Sequence, residues 1–420
     1  MCVPAFRRGC QLAPRLVLVC VLILGCFAVT QAQTFSVLHN FTGGGDGSQP
    51  WVGVTMDQAG NLYGTTSVGG LQGGCGGMGC GVVFKLAHRG SGWSLTPLYT
   101  FTGGGDGALP LARVIFGPNG TLYGSTILGG NDSFPNGVGV IFNLYPPARV
   151  PARVLSPWVE DVLYTFSGVS DGNNPTGDLV FDSAGNIYGT TQSGGYECED
   201  TVYCGTVFEL AHNGNNWNES LLFAFTNGEV AVPLAGAIFD ATGNLYGTTW
   251  NGNGAVYELV HSGSSWTEST LYYFGGPGDG LSPRGGVVFD AGGDLYGTTQ
   301  YGGANGVGSV FELMHSGGRW TESVLYSLTN GGSPYASLVM DSAGNLYGTS
   351  CEGGVNNSGS VFKLTHSGGG WTEADLYDFT GGNDGSCPVG NVIVDPAGNV
   401  YGTTLSGGTS QNGVVFEIAQ

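Results

Sequence analysis

Two charged residues stand out by their register within an internal repeat. Seven copies of a motif run through the chain. Four residues before a recurrent Asp, the copies read Gly53, Arg113, Asp178, Gly236, Gly286, Ser337 and Asn391. Arg113 and Asp178 fall in consecutive copies. A guanidinium and a carboxylate held together can neutralise each other as a salt bridge between repeats, or grip a polar ligand between them. Either use requires the fold to juxtapose them, because a buried charge without a partner is costly. Asn391 shares their position, and Trp51 and Trp250 lie off the repeat pattern; these five are the candidate ligand-binding residues.

A second chemistry-bearing set is acidic. The stretches "GGGDGSQP", "GGGDGALP", "SDGNNP", "GDGLSP" and "NDGSCP" place Asp46, Asp106, Asp171, Asp279 and Asp384 in Gly-rich loops. Calcium takes carboxylate and carbonyl oxygens, so these five are calcium candidates. One Asp per loop is too few unless loops converge, and the spacing fits neither an EF-hand nor a "GGxGxD" array. The same residues also make good turns, and the turn is the preferred reading, with no cofactor required. His88, His212, His261, His315 and His366 occupy one repeat position, as packing residues would. No unique carboxylate pair and no cluster of His, Tyr and Lys or Arg is apparent, so no catalytic residue is assigned.

Ten cysteines divide into four before Ala32 and six after it. The later six are expected to form disulfides, Cys75 with Cys80, Cys198 with Cys204, and Cys351 with Cys387. Zinc binding by "CGGMGC" is disfavoured, since the spacing is not Cys-x-x-Cys and no His is near in sequence.

These disulfides presuppose export, and the N-terminus supplies the signal. Arg7, Arg8 and Arg15 precede the apolar run "LVLVCVLILGCFAV", and "TQA" offers a cleavage site at Ala32, so residues 1–32 read as a signal peptide. Lipid attachment at Cys26, or a periplasmic location, is the alternative to secretion. The remaining chain holds no candidate membrane span. A formal charge of -20 on 420 residues gives no basic footprint and excludes nucleic acid as a partner.

The elements that must position these residues are strands. Tyr63, Tyr123, Tyr188, Tyr246, Tyr296, Tyr347 and Tyr401 are each followed by Gly and then Thr or Ser. Each unit adds a "VFEL"-type block, an "LYTF"-type block and, before the Tyr, a "VVFD"-type block, all separated by turn residues. Four short strands per unit and seven units predict an all-β, seven-bladed β-propeller with four antiparallel strands per blade. Blades fall at about 52–101, 110–166, 176–225, 234–274, 285–328, 336–379 and 389–418 plus 34–41 within a domain spanning 33–420. The last unit lacks a fourth strand, which "TFSVLHNF" at the other end supplies, closing the ring and removing an open edge. Inner strands such as Val54–Met56 are apolar runs expected to be buried on both faces. The loop after the second strand and the link into the next blade share one face, which gathers the five loop aspartates.

The pattern "GNLYGTT..GG....G.VF.L" resembles the GloVer tandem repeat of Gloeobacter and Verrucomicrobia, found in exported bacterial proteins. The resemblance covers Gln33 to Gln420 and implies no catalytic residues or substrate. Members of that family often carry a C-terminal surface anchor; this chain ends with the propeller strand, which favours soluble secretion. The expected function is a secreted, non-catalytic module, monomeric, binding a glycan, a peptide or another surface component, with an extracellular glycan or protein as partner. The alternative is an extracellular polysaccharide lyase or glycoside hydrolase.

Overall fold

The computed structural model describes residues 33–420 apart from 91, 133, 148–157, 169, 196–203, 215, 227–229, 264 and 330–331, together with Met1. The expected signal peptide with Cys26, and Cys198 with its pairing to Cys204, lie outside the described residues.

Seven four-stranded antiparallel sheets stand in a ring as a β-propeller. Blade one pairs Thr55–Met56, Leu62–Thr66, Val82–Arg89 and Gly92–Thr100 in that order, and the next five blades repeat the scheme. The seventh takes Ile393–Val394, Val400–Thr404 and Val414–Ala419 from late in the sequence and Thr34–Asn40 from its start. Phe35 lies opposite Ile418 and His39 opposite Val415, so the expected closure of the ring is present.

Each residue of the Leu-Tyr-Gly-Thr block has its own task. The Leu is buried in the sheet core, as Leu62 is in blade one. The Tyr hydroxyl reaches back to the turn Asp, from Tyr63 to Asp57 Oδ2 at 3.1 Å. That Asp also accepts the main-chain N–H of Ala59 at 2.9 Å and of Asn61 at 2.8 Å, the turn-holding role open to an Asp there. The Gly lies opposite the third-strand Phe: a Cβ on Gly64 would sit 2.6 Å from Phe84 Cζ. The Thr spans the blade boundary. Its hydroxyl donates to a carbonyl of the following blade, from Thr65 to Ala112 and through five further boundaries to Thr403, which bonds Val52.

Aromatic packing completes the boundaries. The Phe ending one blade's fourth strand meets the third-strand Phe of the next edge to face, with centroids 5.3 Å apart for Phe101 and Phe142 and for Phe41 and Phe84. Both pairs are fully buried, and each ring contributes about 2 kcal/mol from burial alone. Blade two lacks the turn Asp. There Gly117 leaves room for the Tyr123 ring, and Asn119 Nδ2 donates to its hydroxyl at 3.2 Å.

The inner strands depart from expectation. Val54, Val114, Leu179 and Val392 are buried, but the two residues after each are only half-buried. Of these side chains Val180 faces the central axis, while Met56, Phe116, Phe181 and Val394 pack, only partly covered, against the buried clusters. The link into each blade lies beside that blade's second loop, as Ser48 with Val68 and Ser386 with Ser406 show, so both belong to one face. Among the described residues no helix is long and apolar enough to cross a membrane.

Candidate functional site

A cavity of about 660 Å³ runs from the link face down the axis. Its wall is built from two positions per blade. The first follows the Pro of each link and reads Trp51, Leu111, Thr176, Leu234, Arg284, Tyr335 and Val389, all of which line the cavity. The second lies two residues on, at the Arg113 and Asp178 position, where all members but Gly53 line it. Since the link leads straight into the innermost strand, any side chain here is carried to the axis. Four of the five candidate ligand-binding residues, Trp51, Arg113, Asp178 and Asn391, therefore border one cavity.

Arg113 and Asp178 engage each other across the boundary of blades two and three. Arg113 donates its main-chain N–H to Asp178 Oδ1 at 2.9 Å and its Nε to Oδ2 at 3.0 Å, with Nη2 also 3.0 Å from Oδ2. Asn391 and Ser337 repeat the pattern without charge. Asn391 Oδ1 accepts the Ser337 N–H at 3.0 Å, and Ser337 Oγ accepts the Gly286 N–H at 2.7 Å. A polar side chain at this position thus caps the main-chain N–H of the preceding blade.

Trp250 stands behind the wall, against Arg284. The Arg284 guanidinium lies 4.4 Å from the Tyr335 ring centroid and 6.0 Å from that of Trp250, a cation held over aromatic faces. Gln300 joins the two aromatics, accepting from Trp250 Nε1 at 3.3 Å and donating to the Tyr335 hydroxyl at 3.2 Å. Burial lowers the Arg284 pKa from the ordinary arginine value. Sequence reasoning passed over Arg284 and Tyr335. The available signal was the residue after each link Pro, which differs in chemistry from blade to blade.

The five loop aspartates are occupied within their own turns. Asp106 accepts from Thr102 N at 2.8 Å, Thr102 Oγ1 at 2.6 Å and the Tyr99 hydroxyl at 3.1 Å. Asp171, Asp279 and Asp384 accept likewise from turn donors and from Tyr164, Tyr272 and Tyr377. Asp46 accepts from Thr42 N and meets His39 Nε2, each at 3.0 Å. Among the described residues no group of three or more His, Cys, Asp or Glu side chains could hold a metal ion. Cys75–Cys80 and Cys351–Cys387 are disulfides, the second joining a blade-six loop to the link that leaves that blade. The repeated histidines pack on the Trp opposite them, His261 on Trp266 at 4.5 Å for example.

The axial wall and the sevenfold network define a repeat propeller with one differentiated central cavity. The family model of the Gloeobacter/Verrucomicrobia repeat matches residues 25–252 and 198–416, and the chain belongs to that family. No curated protein matches it. Among solved structures it is similar to the extracellular domain of a proposed hybrid two-component system from B. thetaiotaomicron. That match is 12% identical and covers 91% of this chain and 39% of the other, with a TM-score of 0.53. It is also similar to a proposed 6-phosphogluconolactonase from Bacteroides fragilis, 15% identical over 83% of this chain and 87% of that one, TM-score 0.49. A gluconolactonase from Xanthomonas campestris is 12% identical over 92% and 89%, TM-score 0.42. At such identities the likeness is one of fold.

Proposed function

We propose that this protein is an exported, non-catalytic binding propeller whose ligand, a glycan or an extracellular peptide, enters the axial cavity from the link face. One observation carries the reading. Two positions whose residue type changes from blade to blade wall the cavity, whereas the positions that repeat are consumed in turns, cross-strand packing and blade boundaries. A volume of about 660 Å³ suits a small ligand or the end of a larger one.

The wall offers binding chemistry and little reaction chemistry. Among the described residues it contains no His, Cys or Glu, and the one carboxylate described there, Asp178, is held by Arg113. A glycosidase pair of carboxyl groups has no counterpart there. Export is supported by the basic and apolar N-terminal sequence and by the cystines Cys75–Cys80 and Cys351–Cys387, which persist in oxidising compartments.

The test is a glycan and exoprotein binding screen in which released product is assayed alongside bound ligand. Binding without product is expected, at least tenfold weaker in Trp51→Ala and Tyr335→Ala variants whose melting is unchanged. Product release would overturn the non-catalytic reading, and binding indifferent to both variants would move the site elsewhere.

A further inference from the structure

The charge of the cavity wall opposes that of the molecule. The chain carries -20 overall. Among the described residues the wall holds two arginines, Arg113 and Arg284, against one aspartate, Asp178, a surplus of one positive charge. Arg113 is matched by Asp178. Arg284 has no carboxylate within ion-pairing distance among the described residues, and its guanidinium lies over the rings of Tyr335 and Trp250.

Main-chain donors add to the surplus. The N–H groups of Arg113, Gly286 and Ser337 are capped by the side chain of the next blade. For Asp178, Gly236 and Asn391 the next blade offers Gly236, Gly286 and Gly53, which have no side chain to give. Those three N–H groups have no acceptor among the described residues. Unpaired donors around a net positive wall disfavour a metal cation and favour an anion.

We infer that the axial cavity takes a carboxylate-bearing sugar, the uronate-type end of an acidic glycan, with Arg284 as the group that grips the carboxylate. The inference rests on the cavity being the ligand site. A planar guanidinium fork matches the two oxygens of a carboxylate. One surplus positive charge balances a carboxylate, whereas a phosphate monoester carries nearly two negative charges. Tyr335 and Trp51 supply faces on which an apolar sugar face can stack.

The experiment is calorimetric titration of the full chain with a panel of galacturonate and glucuronate oligosaccharides, their methyl esters, the neutral parent sugars and inorganic phosphate. The wild type, Arg284→Met and Arg284→Lys are compared. The acid is expected to bind at least tenfold tighter than its methyl ester, with that difference abolished by Arg284→Met and partly kept by Arg284→Lys. Should Arg284→Met fail to fold, the ester comparison on the wild type decides alone. Esters or neutral sugars binding as tightly as acids would overturn the anion inference while leaving the cavity a ligand site; phosphate outcompeting the uronates would keep an anion site and overturn its assignment to a sugar carboxylate. Failure of every sugar to bind the wild type would overturn the sugar inference; binding of exoproteins alone in the earlier screen would leave the cavity as a peptide site.

Discussion

Thr403 Oγ1 donates to the main-chain carbonyl of Val52 at 2.8 Å, across 351 positions of sequence. It is the ring-closing member of a set of seven hydroxyls, one at each blade boundary. Replacing Thr403 by Val keeps the shape and strands that carbonyl. The expected loss is about 1–2 kcal/mol in urea unfolding, with Thr403→Ser near wild type. A Val variant as stable as wild type would show that the bond contributes nothing to closure.

Acidic groups at the blade boundaries predict an unusual pH profile. Burial, and then the carboxylate of Asp106, push Glu160 up to about 8. Burial, with Asp171 and Asp279 respectively, pushes Glu219 and Glu322 up to about 7. Each folded-state pKa lies above the unfolded value of 4.5, so between those limits the folded chain binds more protons. Stability from these groups is whole below about 4.5 and falls as pH rises toward 7 and 8. Asp57, Asp171, Asp240, Asp341 and Asp384 shift the other way: their turn hydrogen bonds outweigh burial and hold them below 3.8. Their contribution is lost in stronger acid. Melting temperature should therefore peak near pH 4 to 5, and changing Glu160, Glu219 and Glu322 to Gln should flatten the decline toward pH 8. A rise in stability from pH 5 to 8 would contradict the assignment.

Cys351–Cys387 and Cys75–Cys80 should differ in worth. Cys351–Cys387 spans 36 residues and Cys75–Cys80 spans 5. Loop-closure entropy then assigns them about 4 and about 2 kcal/mol. Paired Cys→Ser variants compared by denaturant unfolding should show the larger loss for the longer loop, and equal losses would refute the entropic ordering.

One turn contact varies in a way that can be exchanged between blades. His39 meets Asp46 at 3.0 Å, where Tyr99 meets Asp106 at 3.1 Å. In blade three, Phe223 and Val230 stand seven residues apart at the corresponding positions, with neither hydroxyl nor carboxylate. His39→Tyr should be neutral or stabilising, whereas Phe223→Tyr should destabilise by about 1 kcal/mol or more, because its hydroxyl gains no carboxylate. Equal responses would show that the Asp is not the deciding partner.

The ring was legible in the sequence because its physics is repeated: Gly64 opposite Phe84, Tyr63 on Asp57 and Thr65 on Ala112 recur as residue types at fixed spacing. Thr34–Asn40 could be placed because the Val414–Ala419 unit was visibly one strand short. The site was legible only in part. Arg113 and Asp178 showed as charges in a small-residue column, but Arg284 and Tyr335 follow a Pro in what reads as ordinary turn sequence. Nothing local indicates that this turn delivers its next side chain to the axis. The inner strands misled for a related reason: an apolar run does not distinguish a strand enclosed on both faces from one left only partly covered at the inner rim.

Diffraction from crystals soaked with the best-binding uronate oligosaccharide tests the central claim most directly. Density is predicted inside the axial cavity, with a carboxylate against Arg284 and the sugar beside Trp51 or Tyr335. Density at the loop aspartates or along the outer His–Trp edge, with the axis unoccupied by ligand, would contradict it.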